Sequence, residues 1–157
     1  MYYFAYGTLL VEESMRSVCP SATNKGYMRL DGYEMAFGNC SKPGLAGCTL
    51  VPKTGAVTYG IQYELSEEDM AKLDNAAEVP DEQWVHMPIT LVDKSGNEVP
   101  SSTYIIPGNP EKWAPTPKYV TPILKGLETC DFPAAYKDFL RELVDSAMKQ
   151  SNPTTPG

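Results

Sequence analysis

The chain has 157 residues, a formal net charge of −7, an apolar fraction of 42% and a charged fraction of 21%; these are the proportions of one globular domain with a sizeable core. That acidic balance, with no Lys/Arg cluster to offset it, argues against a nucleic-acid partner and against anion capture by a broad basic field. No apolar run reaches membrane-spanning length and no basic-then-apolar leader opens the chain, so neither a membrane partner nor a signal peptide is expected, and the protein reads as cytoplasmic.

Tyr2–Tyr6 reads as a strand, followed by the turn Tyr6-Gly7-Thr8-Leu9 and a helix-like stretch from Val11 to Val18. A strand feeding a glycine-containing turn and then a helix start leaves backbone N–H groups pointing at one spot, which attracts a carboxylate or phosphate. The bland alternative is a tight connection with no ligand. Lys25–Phe37 alternates apolar and polar residues, with Asp31-Gly32 fitting a hairpin turn. The Gly/Pro/Ser/Asn-rich loop Asn39–Gly47 is long enough to cover a site and shape its specificity.

Ala46–Pro52 and Val57–Glu64 read as strands around Lys53-Thr54-Gly55. Ser66 opens a helix as N-cap, with Asp69 three residues on; Met70 and Leu73 give its apolar face and the helix ends near Asn75. Trp84–Val92 and Val99–Ile106 form a hairpin about Ser95-Gly96-Asn97, with His86 at the surface or core edge. A Pro-rich entry at Trp113–Pro117 leads to a helix over Tyr119–Thr129, with Pro122 in its first turn. After the break at Phe132-Pro133, Ala134–Gln150 is amphipathic, with Tyr136, Phe139, Leu140, Leu143, Val144 and Ala147 on one face. These elements predict an α+β domain over residues 1–150, a small curved mixed sheet or barrel flanked by helices, and a disordered tail over 151–157.

Cys19, Cys40, Cys48 and Cys130 are scattered, and His86 is the only histidine. No metal site and no cofactor are expected.

The ordered set Phe4-Ala5-Tyr6-Gly7-Thr8-Leu9, Gly60-Ile61-Gln62-Tyr63, Leu73-Asp74, Trp113 to Tyr119, and Gly126 to Tyr136 resembles the γ-glutamylcyclotransferase family, including its plant-induced-gene-type relatives. The likeness runs from about Tyr2 to about Leu143. It implies a small β-barrel flanked by helices, no cofactor, and a γ-glutamyl small-molecule substrate handled by a monomer or homodimer. In the implied reaction the α-amine of a γ-glutamyl group attacks its own γ-amide carbonyl, giving 5-oxoproline and a released amine or amino acid. Such a site needs a base for the α-ammonium and donors for the α-carboxylate, which the amides of Gly7, Thr8, Leu9 and Leu10 can supply. It also needs a donor for the developing oxyanion. Tyr119 matches a family pocket tyrosine or is a packed helix-start aromatic. Tyr6 either sits with its ring in the core or offers its hydroxyl to the turn. Trp84 reads as core or pocket wall.

The family's base lies in the pattern L-D-x-x-E-G, which here reads Leu73-Asp74-Asn75-Ala76-Ala77-Glu78. The base position falls on Ala77, and alanine has no titratable group. Three accounts compete. Ala77 is an engineered replacement of a glutamate; or the chain is a natural member that only binds, or runs a different cyclisation in a specialised biosynthetic pathway; or a one-residue bulge lets Glu78 serve as the base. Glu78 otherwise reads as a solvated loop charge. All four cysteines are expected to be reduced: thiol titration of the denatured, unreduced protein should find four free thiols, and a loss of two or four overturns both this reading and the compartment.

Overall fold

The computed structural model describes residues 1–7, 9–39, 46–76, 84–106, 115 and 117–149. Among these described residues, five strands form one sheet in the order β1-β3-β2-β4-β5, with β1 at Tyr2–Ala5, β2 at Thr23–Asn39, β3 at Ala46–Glu64, β4 at Val85–Val92 and β5 at Glu98–Ile105. The helices that pack around it are α1 at Glu12–Val18, α2 at Glu67–Ala76, α3 at Pro117–Thr129 and α4 at Ala134–Met148. The expected α+β class holds. Every strand pairing is antiparallel, where a mixed sheet was expected.

The sheet curls, yet it is not a closed barrel. Its end strands β1 and β5 meet through side chains: Thr103 Oγ1 donates to the Phe4 carbonyl at 2.8 Å and Ser102 Oγ to the Tyr2 carbonyl at 2.9 Å. A ladder would use backbone donors on both sides; here hydroxyls on one strand serve the carbonyls of the other.

The hairpin expected at Asp31-Gly32 is absent, and β2 runs straight through it. Asp31 pairs with Val57 and Tyr33 with Pro52, so Lys53, Thr54, Gly55 and Ala56 face the single residue Gly32. Gly32 and Gly55 both have positive φ, +83° and +82°. The glycines that favour a turn are spent on an excursion within two long paired strands, a bulge being the other use of that chemistry.

Helix α2 begins as expected. Ser66 Oγ accepts from the Asp69 amide at 3.1 Å, and the buried Asp69 carboxylate accepts from the Ser21 amide at 2.7 Å. Hydrogen bonds from Ser21, with Lys72 beside it, hold the Asp69 carboxyl below its usual range. Helix α3 starts at Pro117, so Pro122 lies inside it and not in its first turn. Its missing N–H leaves the carbonyl four residues earlier without a helical donor. On α4, Tyr136, Leu140, Val144 and Ala147 face the core, whereas Phe139 is 40% exposed. Tyr136 meets Tyr59 and Phe132 edge-on, and Phe132 meets Tyr27 the same way, fixing the helices to the sheet. Cys19, Cys48 and Cys130 are free and buried; Cys40 and the 151–157 tail lie outside the described residues. Among the described residues no helix is long and apolar enough to cross a membrane.

Gly60 stands where β3 passes β1. A Cβ there would collide with the Ala5 carbonyl oxygen and stand 2.7 Å from the tip of the Phe4 ring. The first is backbone and the second a fully buried ring with no room to turn, so Gly60→Ala should destabilise by about 1–3 kcal/mol, read as a lower urea midpoint. Asp69→Asn tests the acid response. A carboxyl with a depressed folded pKa contributes stability that is complete above its unfolded value, about 3.9, and lost as pH falls through the folded one. The variant should therefore melt lower at neutral pH and lose less Tm on acidification; an unchanged acid slope would contradict the assignment.

Candidate functional site

The backbone of Cys48, in β3, gathers three of the residues singled out in the sequence. Its N–H donates to Tyr119 Oη at 2.8 Å. Its carbonyl accepts from Trp84 Nε1 at 3.0 Å and from Tyr6 Oη at 3.3 Å. Tyr6 Oη also lies 2.8 Å from the Tyr104 carbonyl in β5. Tyr6 thus has its ring in the core and its hydroxyl tied to two strands; the hydroxyl does not serve the turn. A Cβ on Gly7 would stand 3.0 Å from Cys48 Sγ, so the turn is seated on this same residue.

These contacts frame a cavity of about 280 Å³, at the low end for small-molecule sites. Tyr6, Gly7, Leu9, Trp84 and Tyr119, all singled out in the sequence, line it together with Tyr3, Cys48, Ala76 and Tyr104. Leu10 is buried beneath the turn, where Gly126 of α3 packs so closely that a Cβ would come within 2.5 Å of Leu10 Cβ. Thr8, Ala77 and Glu78 lie outside the described residues, as does Trp113.

Of the amides expected to form an anion cradle, that of Leu10 donates to the Gly7 carbonyl at 3.2 Å and is spent within the turn. The Gly7 and Leu9 amides have no acceptor among the described residues. Of the donors expected for an anion, the Leu10 amide is thus taken up by the turn itself.

The described walls are neutral. Burial raises the phenols of Tyr3, Tyr6 and Tyr119 above their ordinary range, with Cys48 adding to the effect. The Cys48 thiol is itself pushed up to about 12 by burial. Phenols and thiol therefore stay protonated across the physiological range, as hydrogen-bonding and packing surfaces rather than nucleophiles. No described lining residue carries a carboxylate or a cation, and no group of three or more metal-ligating side chains occurs among the described residues.

One cluster beside the cavity was not anticipated. The Tyr104 hydroxyl donates to Asp74 Oδ1, and His86 Nε2 lies 2.6 Å from the same oxygen. The His86 and Tyr104 rings are 4.7 Å apart. His86 of β4, read as a surface or core-edge residue, sits directly opposite Tyr104 of β5 in the hairpin register. Counting outward from the Ser95-Gly96-Asn97 turn would have revealed that pairing from the sequence.

Over 152 residues the chain is 26% identical to the Bos taurus protein named γ-glutamylcyclotransferase, covering 94% of this chain and 80% of that one. The Homo sapiens protein of the same name is 25% identical over 148 residues, covering 90% and 77%. A solved structure of a γ-glutamyl cyclotransferase shares the fold with a TM-score of 0.83 at 23% identity, over 96% of this chain and 99% of that one. The AIG2-like family matches residues 57–140, from the closing half of β3 into α4. That span exceeds half of the sequence, and the chain belongs to the AIG2-like family.

Proposed function

We propose that the cavity holds the γ-glutamyl group of an amino acid, peptide or amine, and that the reaction of this scaffold is ring closure to 5-oxoproline. The observation that carries the reading is the meeting of the Tyr6–Leu10 turn, Trp84 and Tyr119 on the Cys48 peptide, around a space of about 280 Å³. Two curated relatives named γ-glutamylcyclotransferase add to its support.

The chemistry asked of such a cavity is modest. The substrate carries both nucleophile and electrophile, so holding it folded supplies an effective-molarity advantage without a covalent enzyme intermediate. The Gly7 and Leu9 amides suit the α-carboxylate, and the neutral phenols exclude water without adding a competing charge. What the ring closure still requires is a base for the α-ammonium. Ala76 lines the cavity, and Ala77, bonded to it, brings a methyl group where the resemblance puts a glutamate. Binding without rapid turnover follows. Three free, buried cysteines support a reducing, cytoplasmic setting.

A second reading is a catalytically silent small-molecule binding protein. It draws on the absence of any carboxylate among the described lining residues.

Following 5-oxoproline release from a panel of γ-glutamyl donors for this chain, Ala77→Glu and Glu78→Gln separates these readings. Losing a general base costs roughly 10²–10⁴-fold, so Ala77→Glu should raise kcat by a factor in that range while binding affinity changes little. A robust starting activity abolished by Glu78→Gln would make Glu78 the base. Ligand binding with no release from any of the three would favour the silent protein.

A further inference from the structure

Asp74 is the last carboxylate of α2 and Ala76 is that helix's last residue. Two side chains converge on one Asp74 oxygen: the hydroxyl of Tyr104, a cavity-lining residue, and His86 Nε2 at 2.6 Å. The Asp74 and His86 side chains remain 30% and 39% exposed. A phenol in the cavity wall is thus wired to a carboxylate that borders solvent, with an imidazole fixing the carboxylate's orientation. Among the described residues, three others surround the cluster. Tyr3 of β1 stacks on Tyr104 at 5.4 Å, Cys19 and Tyr3 contribute electrostatically to the Tyr104 environment, and Met70 Sδ lies 3.7 Å from the Tyr104 hydroxyl.

We propose that Tyr104, Asp74 and His86 form a proton relay that gives this chain a slow ring-closing activity despite the alanine at position 77. The inference rests on the γ-glutamyl reading of the cavity. Tyr104 is the member that meets the ligand, while Asp74 and His86 act through it. As the α-ammonium gives a proton to Tyr104 Oη, the Tyr104 hydroxyl proton passes to Asp74 Oδ1, so the phenol is neutral before and after. The freed amine lone pair forms the new C–N bond to the γ-carbonyl carbon, and the old C–N bond breaks towards the leaving nitrogen. The attacking nitrogen sheds two protons in becoming a lactam N–H, and the leaving nitrogen takes up two in departing as an ammonium, so Asp74 ends the cycle unprotonated. Burial and the hydrogen bond to Asp74 raise the Tyr104 phenol far above its ordinary range, which suits a shuttle that never persists as phenolate. The proton has to pass through a phenol that strongly resists ionisation before it reaches the carboxylate, so the route is slower than direct transfer to a carboxylate in the cavity.

The test measures 5-oxoproline release against pH, and separately the affinity for 5-oxoproline by calorimetry. The proteins are this chain, Asp74→Asn, Asp74→Glu, Tyr104→Phe and His86→Gln. Release by this chain should exceed the buffer rate, and Asp74→Asn and Tyr104→Phe should each lower kcat about tenfold or more with affinity retained. Asp74→Glu should recover part of the rate. His86→Gln should lower kcat less than Asp74→Asn does, because it loses the orientation of the carboxylate and not the carboxylate itself. In an Ala77→Glu background, Asp74→Asn should cost less than about threefold, because the new carboxylate takes the proton directly. Should Tyr104→Phe not fold, Asp74→Asn on the exposed side of the relay decides alone. An unchanged kcat in Asp74→Asn, or an equal loss in the Ala77→Glu background, overturns the relay. Release no faster than buffer with the ligand still bound also overturns it, while leaving the γ-glutamyl reading intact. Neither binding nor release by any protein defeats that reading and the relay with it.

Discussion

The peptide group of Cys48 is the constraint on which the rest of the site depends. Its carbonyl and amide are engaged by a tryptophan, a tyrosine from the end of β1 and a tyrosine from the start of α3. A buried hydrogen bond contributes about 0.5–1.5 kcal/mol net, whereas a partner left unsatisfied costs about 1–3 kcal/mol. The three side chains are therefore specified together: withdrawing one leaves a buried polar group behind and loosens the wall it formed. Because Cys48 pairs with Phe37 in the β2–β3 ladder, the hub is anchored to two of the longest strands rather than to a loop. The cavity walls inherit the rigidity of the sheet.

The same arrangement explains why the lining is chemically quiet. Phenols that donate to, or accept from, main-chain groups are held neutral by burial. Their role is to position and to exclude water. Charge enters at the margin, at the end of α2, where a carboxylate can be half solvated. The division suits a reaction whose two partners arrive joined in one molecule, since alignment then supplies much of what a more elaborate constellation would otherwise provide.

Local rules carried much of this architecture in the sequence. The Ser66 cap and the hairpin about Ser95-Gly96-Asn97 both follow from neighbours a few residues apart, and each stands as expected. The misses arose where a residue admits two local uses and distant partners decide. Asp31-Gly32 is good turn chemistry, but pairing of β2 with β3 on both sides made it a bulge. Phe139 fits the α4 stripe by period, yet it faces outward beside the stripe's edge. Tyr6 was legible as a pocket residue; that its hydroxyl is committed to β3 and β5 was not, because those strands lie more than forty positions away. His86 and Asp74 are unremarkable singly, and only the hairpin register and the length of α2 bring them to one oxygen.

The seam between β1 and β5 has a consequence for how this protein keeps to itself. An open sheet offers two rows of unsatisfied main-chain groups, a ready template for a strand from another chain. Here the carbonyls of Tyr2 and Phe4 on one border already receive hydroxyls from Ser102 and Thr103 on the other. A foreign strand would have to displace those hydroxyls and uncurl the sheet before it could dock. Four small side-chain and main-chain groups thus act as a molecular hem: they leave the fold open in topology while denying strand-by-strand growth the starting edge it needs.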